Sequence, residues 1–226
     1  MTANSRKIFL ITGVGENEGK STVAGNVAAM MAMKGKNTAL VDCDLRKPAL
    51  RQFFDGVCRG ELPLDQMLAQ PFSVTNFRRC MVRHPKLGLY TLFPEKASSR
   101  SLELLSGPTA ASVFHQLRVF DCVIVDAPPM GFFADTLALA DLADASVLVV
   151  RQDYTPACDI NEAADSLRGT RSAFLGCVLN DMWGRSVSGY GYGYGYGYGY
   201  GYGRSYGYGR QSGEKSKHSG KGGTAT

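Results

Sequence analysis

The sequence has no C-x-x-C pair, no grouping of histidines, no long apolar run and no charge imbalance over its first 184 residues. Each absence removes a class of function. The six cysteines (Cys43, Cys58, Cys80, Cys122, Cys158 and Cys177) stand apart, and His84, His115 and His218 are scattered, so neither a zinc site nor a redox dithiol is legible. Cys43, Cys122 and Cys177 fall inside apolar runs, where a thiol behaves as a small hydrophobe, and the set reads as reduced, buried thiols of a cytosolic protein. The opening MTANSRKIFLIT has too short an apolar run for a signal peptide. No stretch approaches the ~20 apolar residues of a membrane span, so a soluble, cytoplasmic chain is expected. Residues 1–184 hold 19 Lys and Arg against 19 Asp and Glu, which gives no support to a basic domain face for nucleic acid.

What is present divides near Gly184. Residues 185–226 hold six basic residues against Glu214 alone, so the whole formal excess of +5 lies there. Within them, residues 189–210 read GYGYGYGYGYGYGYGRSYGYGR. The nine tyrosines are Tyr190, Tyr192, Tyr194, Tyr196, Tyr198, Tyr200, Tyr202, Tyr206 and Tyr208. Glycine at every second position makes order entropically expensive, and no aliphatic side chain offsets that cost. The sequence therefore predicts a folded domain over 1–184 and a disordered, basic tail over 185–226 that displays phenol groups. Trp183, at the junction, reads as a pin for the last strand.

Along the domain, strand-like and helical stretches alternate. KIFLIT (7–12) opens onto a glycine-rich turn, KSTVAGNVAAMMAMKGK follows as a helix, and TALVDCD (38–44) is a second apolar strand with acids at its end. ELPLDQMLAQ suggests a short helix; RRCMVRH and LGLYTLF read as two strands; SGPTAASVFHQLRVF reads as a helix with Pro near its start. DCVIVDAPP (121–129), DASVLVVR and AFLGCVLND read as strands, with DINEAADSLRGT a helix before the last. Such alternation of continuous apolar strands with helices predicts an α/β fold, a mainly parallel sheet covered on both faces. Ligands of such sheets bind beyond the carboxyl ends of the strands, where the glycine turn and the acids all fall.

ITGVGENEGKST (11–22) sets Gly15, Asn17, Glu18, Gly19, Lys20, Ser21 and Thr22 between a strand and a helix. Glycines let backbone N–H groups curl around a phosphate, and the helix N-terminus adds its positive end. Lys20 can reach terminal phosphates, Ser21 can ligate Mg²⁺ and Thr22 can donate to the α-phosphate of ATP. Asp126, after CVIV, stands where an acid can hold Mg²⁺ through water; Asp42 and Asp44, two apart at a strand end, can surround the same ion. Asn180 follows the final strand, where related nucleotide-binding folds read adenine. Arg46 and Arg151 are open between phosphate and a neighbouring subunit.

ITGVGENEGKST, TALVDCDLRKP and VIVDAPP resemble, in order and spacing, the three phosphate-site motifs of the bacterial tyrosine kinases of capsule and exopolysaccharide synthesis. SLELLSG, FFADTLALADLADASVLVVR, GCVLND and the terminal tyrosine cluster extend the resemblance over residues 7–182 and the tail. It implies a P-loop fold, ATP and Mg²⁺ as cofactors, and autophosphorylation of the tail tyrosines, within a subunit or in trans. Lys20 and Asp126 match residues needed for activity. Asp42 and Asp44 sit in an extra motif that ordinary small GTPases lack. In these roles Lys20 and Mg²⁺ hold the phosphates, Ser21 and Asp44 serve the metal, and Asp42 orients or deprotonates the tyrosine. The resemblance further implies a transmembrane activator partner at the inner face of the membrane and a homo-oligomeric ring.

Two departures qualify it. Family members have Pro and Gly where this chain has Glu16 and Asn17, which predicts an altered loop around a retained site. No E-x-x-R-x-x-R pattern, the ring-forming feature of the family, precedes Lys7, so either the sequence is a trimmed one or the ring is weak or differently made. Each phosphotyrosine adds roughly −1.5 to −2 charges, enough across the cluster to turn the cationic tail strongly anionic. The alternatives are a partition- or placement-type P-loop ATPase that dimerises on ATP, and a sticky Gly–Tyr segment with the domain as passenger. Placement ATPases carry an early loop lysine near position 14, which is Val14 here.

Overall fold

The structure, a computed structural model, describes residues 6–54 and 58–182; Trp183 and the tail tyrosines lie outside the described residues. In chain order the elements are β1 (Ile8–Gly13), α1 (Lys20–Met33), β2 (Thr38–Asp42), α2 (Leu50–Phe53), α3 (Leu64–Leu68), α4 (Val74–Cys80), β3 (Val82–Arg83) and β4 (Tyr90–Leu92). They continue as α5 (Ser101–Ser106), α6 (Pro108–Leu117), β5 (Cys122–Asp126), α7 (Asp135–Ala140), β6 (Ala145–Arg151), α8 (Ala157–Arg168) and β7 (Ala173–Asn180). The strands form one sheet in the order β3-β4-β2-β5-β1-β6-β7, parallel throughout except where β3 meets β4. The expected α/β, P-loop-like fold is present.

The apolar runs of the strands have a simple cause: both faces are covered. Leu10, Val41, Val123, Val125, Leu148 and Val150 point into the core beneath α3 to α8, whereas Ile11, Leu40, Ile124 and Val149 point the other way, beneath α1 and α2. Neighbours along each strand therefore alternate between two cores, and buried polar strand residues such as Thr12 and Ser146 are hydrogen-bonded, Thr12 to the Pro128 carbonyl and Ser146 to Ser172. Helix α1 lies close to the sheet because its buried side consists of small residues, Ala24, Gly25 and Ala28, after Lys20. A Cβ at Gly25 would come 2.9 Å from the Phe53 ring, so the same small-residue face also lets α2 close over α1.

The structure departs from the sequence reading at both sheet edges. In RRCMVRH, Arg78 to Cys80 finish helix α4, which Ser73 caps by accepting the Asn76 N–H at 3.1 Å, and only Val82–Arg83 are strand. At the other edge β7 pairs only with β6 among the described residues, and Leu175, Cys177 and Leu179 are exposed. Cys177 is thus not a buried thiol, because the edge strand that carries it is uncovered; Cys158 is exposed as well. Native-state alkylation should modify Cys158 and Cys177 rapidly and spare Cys43, Cys58, Cys80 and Cys122, as read by peptide mass mapping. Fast labelling of Cys43 or Cys122, both in the sheet core, would contradict this packing.

Candidate active site

Strand β1 ends at Gly13 and α1 begins at Lys20, so residues 14–19 turn the chain above the carboxyl ends of the strands. Two residues make the turn in the left-handed region: Asn17 at φ 58° and Gly19 at φ 89°. Asparagine is one of the few residues with a side chain that tolerates this conformation. That explains how Asn17 stands where the family has Gly without losing the turn. Gly19 has a second constraint, because a Cβ there would collide with the Asn180 amide.

Glu18 is fully buried and braces the loop from within. Its Oε2 accepts the Gly15 N–H at 2.9 Å, and its Oε1 accepts the Thr155 hydroxyl. Asn180 Nδ2 donates to the Glu18 carbonyl at 3.0 Å, tying the end of β7 to the loop. The Glu18 carboxylate is thus taken up by the protein's own N–H and O–H groups, and the Asn180 amide nitrogen is engaged with the loop backbone. Thr155, which the sequence reading missed, carried no signal because its partner lies 137 positions away.

Lys20 Nζ donates to the Gly15 carbonyl at 2.7 Å. Gly19, Lys20, Ser21, Thr22, Asp44 and Arg46 share the wall of a cavity of about 560 Å³. Burial lowers the Lys20 pKa, opposed by Asp126, Glu18, Asp44 and Glu16 around it. Arg46 is fixed by Asp135 at 3.0 Å and lies 4.1 Å from the Phe133 ring centroid, which holds the segment after Pro129 against the cavity. Lys47 pairs with Glu16 at 2.7 Å across its exposed side. Glu16, where the family has Pro, thus bridges the phosphate loop to the segment after β2.

The three acids occupy different depths. Asp42 and Asp126 stand opposite each other in the β2–β5 register, both fully buried. Asp42 Oδ1 accepts the Asp44 N–H at 3.1 Å and its Oδ2 accepts the Leu50 N–H at 3.1 Å. Burial and the neighbouring Asp126 raise its pKa well above the ordinary carboxyl range. Asp42 does not line the cavity: both its oxygens accept backbone N–H groups at the end of β2, beneath the wall that Asp44 helps to form. Asp44 does line the cavity, with Oδ1 accepting the Lys47 N–H at 3.0 Å, and burial raises its pKa. Burial pushes the Asp126 carboxyl up to about 7, with Ser21 and Lys20 opposing and Asp44 adding to the rise. Although Ser21 faces it, neither Asp126 oxygen has a hydrogen bond of ordinary geometry.

Those orphaned oxygens bear on a metal. A buried carboxylate without donors, next to a hydroxyl and a second acid, suits a hard divalent cation that takes oxygen ligands. Among the described residues no three acids converge closely enough to chelate an ion unaided.

A backbone-lined loop at the start of a helix, on a parallel sheet with carboxylates at adjacent strand ends, defines a nucleotide-binding domain of the P-loop class. The sequence profile of the CbiA family, the CobQ/CobB/MinD/ParA nucleotide binding domain, matches residues 9–187. The chain is 31% identical over 187 residues to the tyrosine-protein kinase YwqD of Bacillus subtilis, covering 82% of this chain and 77% of that protein. It is 30% identical over 185 residues to the succinoglycan biosynthesis transport protein ExoP of Rhizobium meliloti, covering 80% of this chain but 23% of that longer protein. The crystal structure of the VpsO kinase domain superposes with a TM-score of 0.70 at 28% identity, covering 78% of this chain and 85% of that one. Within the P-loop class, this chain belongs to the bacterial tyrosine-kinase family.

Proposed function

We propose that the chain is an ATP-dependent protein-tyrosine kinase whose domain, residues 1–184, phosphorylates the tyrosine cluster of the 185–226 tail, in trans. The observation that carries this reading is the shared wall of Lys20, Ser21 and Asp44 around one cavity at the carboxyl ends of the strands, in a chain that also supplies its own phenols. The backbone of residues 15–19 and Thr22 cradle the phosphates of ATP, and the Lys20 ammonium faces the β- and γ-phosphoryl oxygens. Ser21 and Asp126, whose two oxygens have no donors, are the residues that would hold Mg²⁺, which would supply charge neutralisation between those phosphates when bound. The tyrosine oxygen forms a bond to the γ-phosphorus as the bond from that phosphorus to the β,γ-bridging oxygen breaks. ADP leaves with the electron pair, and the phenol proton passes to a carboxylate at the cavity wall. Asp44 is that carboxylate; Asp42 acts through it, fixing the Asp44 N–H and the Leu50 N–H from below. Asn180 and Glu18 hold the loop in shape.

Phosphoryl transfer needs placement and charge stabilisation more than covalent help, which suits a site made of loop backbone, one lysine and carboxylates. The family context further supports a role in exopolysaccharide or capsule polymerisation and export, with the chain held at the inner membrane face by a transmembrane partner and assembling with copies of itself. The family also includes MinD and ParA, so a placement-type ATPase is the second reading. Incubation with labelled ATP separates the two: label on tail tyrosines supports the kinase, and phosphate release without transfer supports the ATPase.

Asp44→Asn should lower phosphotyrosine formation by about 10²- to 10⁴-fold, the usual worth of a positioned proton acceptor, and weaken Mg²⁺-dependent nucleotide binding. Asp42→Asn should cost less activity and leave the metal requirement unchanged. Equal losses from the two, in activity and in metal titration, would count against dividing the roles between wall and support.

A further inference from the structure

Away from the phosphate site, charge of one sign gathers at one place. A cavity of about 460 Å³ beside β3 is lined by Arg59, Arg78, Arg79 and Arg83, and Glu61 is the one acid in its wall among the described residues. It shares no wall residue with the phosphate cavity. Residues 1–184 are formally neutral, so the four arginines are a local concentration and not a share of a general excess. Glu61 pairs with Arg79 at 3.2 Å. Arg59, Arg78 and Arg83 are exposed and have no acid partner among the described residues. The carbonyl end of α4 accounts for Arg78 and Arg79, which sit in its last turn. It does not account for Arg59, from the segment before α3, or for Arg83, from β3. Backbone packing brings that segment in. The Leu62 N–H donates to the Arg79 carbonyl at 3.3 Å, and a Cβ at Gly60 would stand 2.7 Å from the Cys80 carbonyl oxygen. Residues 59–61 thus lie against the end of α4, an approach that glycine at position 60 permits.

We propose that this cavity is a second anion site, for a phosphate monoester group carried by a small soluble molecule or by a lipid headgroup. The proposal stands apart from the tyrosine-kinase reading and needs no nucleotide. Guanidinium groups around one space repel one another, and a single carboxylate offsets only one of them. An anion that enters is held by several charges at once and relieves that repulsion. Chemistry selects the kind of anion. Arginine presents a planar fork of donors that pairs bidentately with oxyanions. A carboxylate has one charge and two oxygens, which a single fork satisfies. A phosphate monoester has roughly 1.5 to 2 negative charges and three acceptor oxygens, which suits the three arginines left without an acid. Thr75, in the same wall, adds a hydroxyl donor.

The test labels the arginines of the full chain with phenylglyoxal and maps them by mass spectrometry, so anion binding at Lys20 does not enter the readout. Inorganic phosphate, against chloride at equal ionic strength, should slow labelling of Arg59, Arg78 and Arg83 several-fold. Arg100 and Arg168, exposed and paired with Glu103 and Asp165, report general screening and should label at an unchanged rate. Sedimentation with phosphatidylcholine vesicles containing phosphatidic acid, against phosphatidylglycerol at matched surface potential, reads the lipid source. Arg59→Gln/Arg83→Gln should lower affinity for the phosphatidic acid vesicles by about 10-fold or more. A melting curve checks its fold, and Arg78→Gln, on α4, is the second variant. Protection by phosphate, with a preference for phosphatidic acid that the variants lose, assigns the site to a lipid headgroup. Protection without that preference, or with one that both variants retain, assigns it to a small soluble phosphate ester. Labelling that phosphate leaves unchanged, or slows equally at Arg100 and Arg168, overturns the site. Equal protection by a poly-glutamate peptide also overturns it and makes the patch a surface for acidic protein segments.

Discussion

Lys20→Met should lower tail phosphorylation by roughly 10²- to 10³-fold, the worth of one donor facing developing charge, while the fold survives. The physical reason is the combination of burial and surroundings at this side chain. Its ammonium sits against the loop, bonded to the Gly15 carbonyl, and Asp126, Glu18, Asp44 and Glu16 all favour its charged form. Only burial opposes that form. Burial is the largest influence and lowers its pKa, so an anionic ligand brought beside it would favour the ammonium form. Methionine keeps most of the length and packs against the same loop but brings no charge. Unchanged circular dichroism and melting, with phosphotyrosine lost on immunoblots from a host lacking other such kinases, is the expected pair of results. Phosphotyrosine at the wild-type level would show that the phosphates lie elsewhere.

The sequence revealed most of this site because its parts are local. The phosphate loop, the helix that follows it and the acids at the ends of β2 and β5 each occupy one short stretch, and a parallel sheet brings strand ends to one edge. What sequence could not reveal were the contacts that join distant stretches. The loop motif does not show that Thr155 and the Gly15 N–H occupy the Glu18 carboxylate. Spacing of two on a strand puts side chains on one face, which placed Asp42 and Asp44 around one ion. In fact β2 ends at Asp42, and the backbone then leaves the sheet, so only Asp44 reaches the cavity. Edge strands failed for a related reason. AFLGCVLN is as apolar as any central strand, but apolar content says nothing about which strand lies outermost. RRCMVRH was misread because Ser73, the helix cap that claims its first three residues, lies upstream of the quoted run.

Asp126→Asn should stabilise the nucleotide-free protein and at the same time disable it. The carboxyl is pushed from an ordinary 3.8 up to about 7, chiefly by burial. Between these values the folded state holds a proton that the unfolded chain has released, so stability from this group is present at low pH and is lost as pH rises through about 7. Asp42, raised in the same direction by burial and by Asp126, adds to the trend. With EDTA present, the wild-type melting temperature should therefore fall between pH 5 and pH 8 relative to that of Asp126→Asn. The difference at pH 8 should be on the order of 1–3 kcal/mol, less than the full pKa displacement implies because the buried pair shares its protons. For a domain of this size that is a few degrees. Added Mg²⁺ and ADP should reverse the ranking, because a cation needs the ionised carboxylate that the variant lacks, and the wild-type gain should grow with pH. A wild-type protein that melts no lower than the variant at pH 8 without metal would refute the buried-acid account. If the ranking reverses on adding metal, the two orphaned oxygens of Asp126 are a binding site held at a cost to the empty fold, and the ion removes that cost when it arrives with the nucleotide.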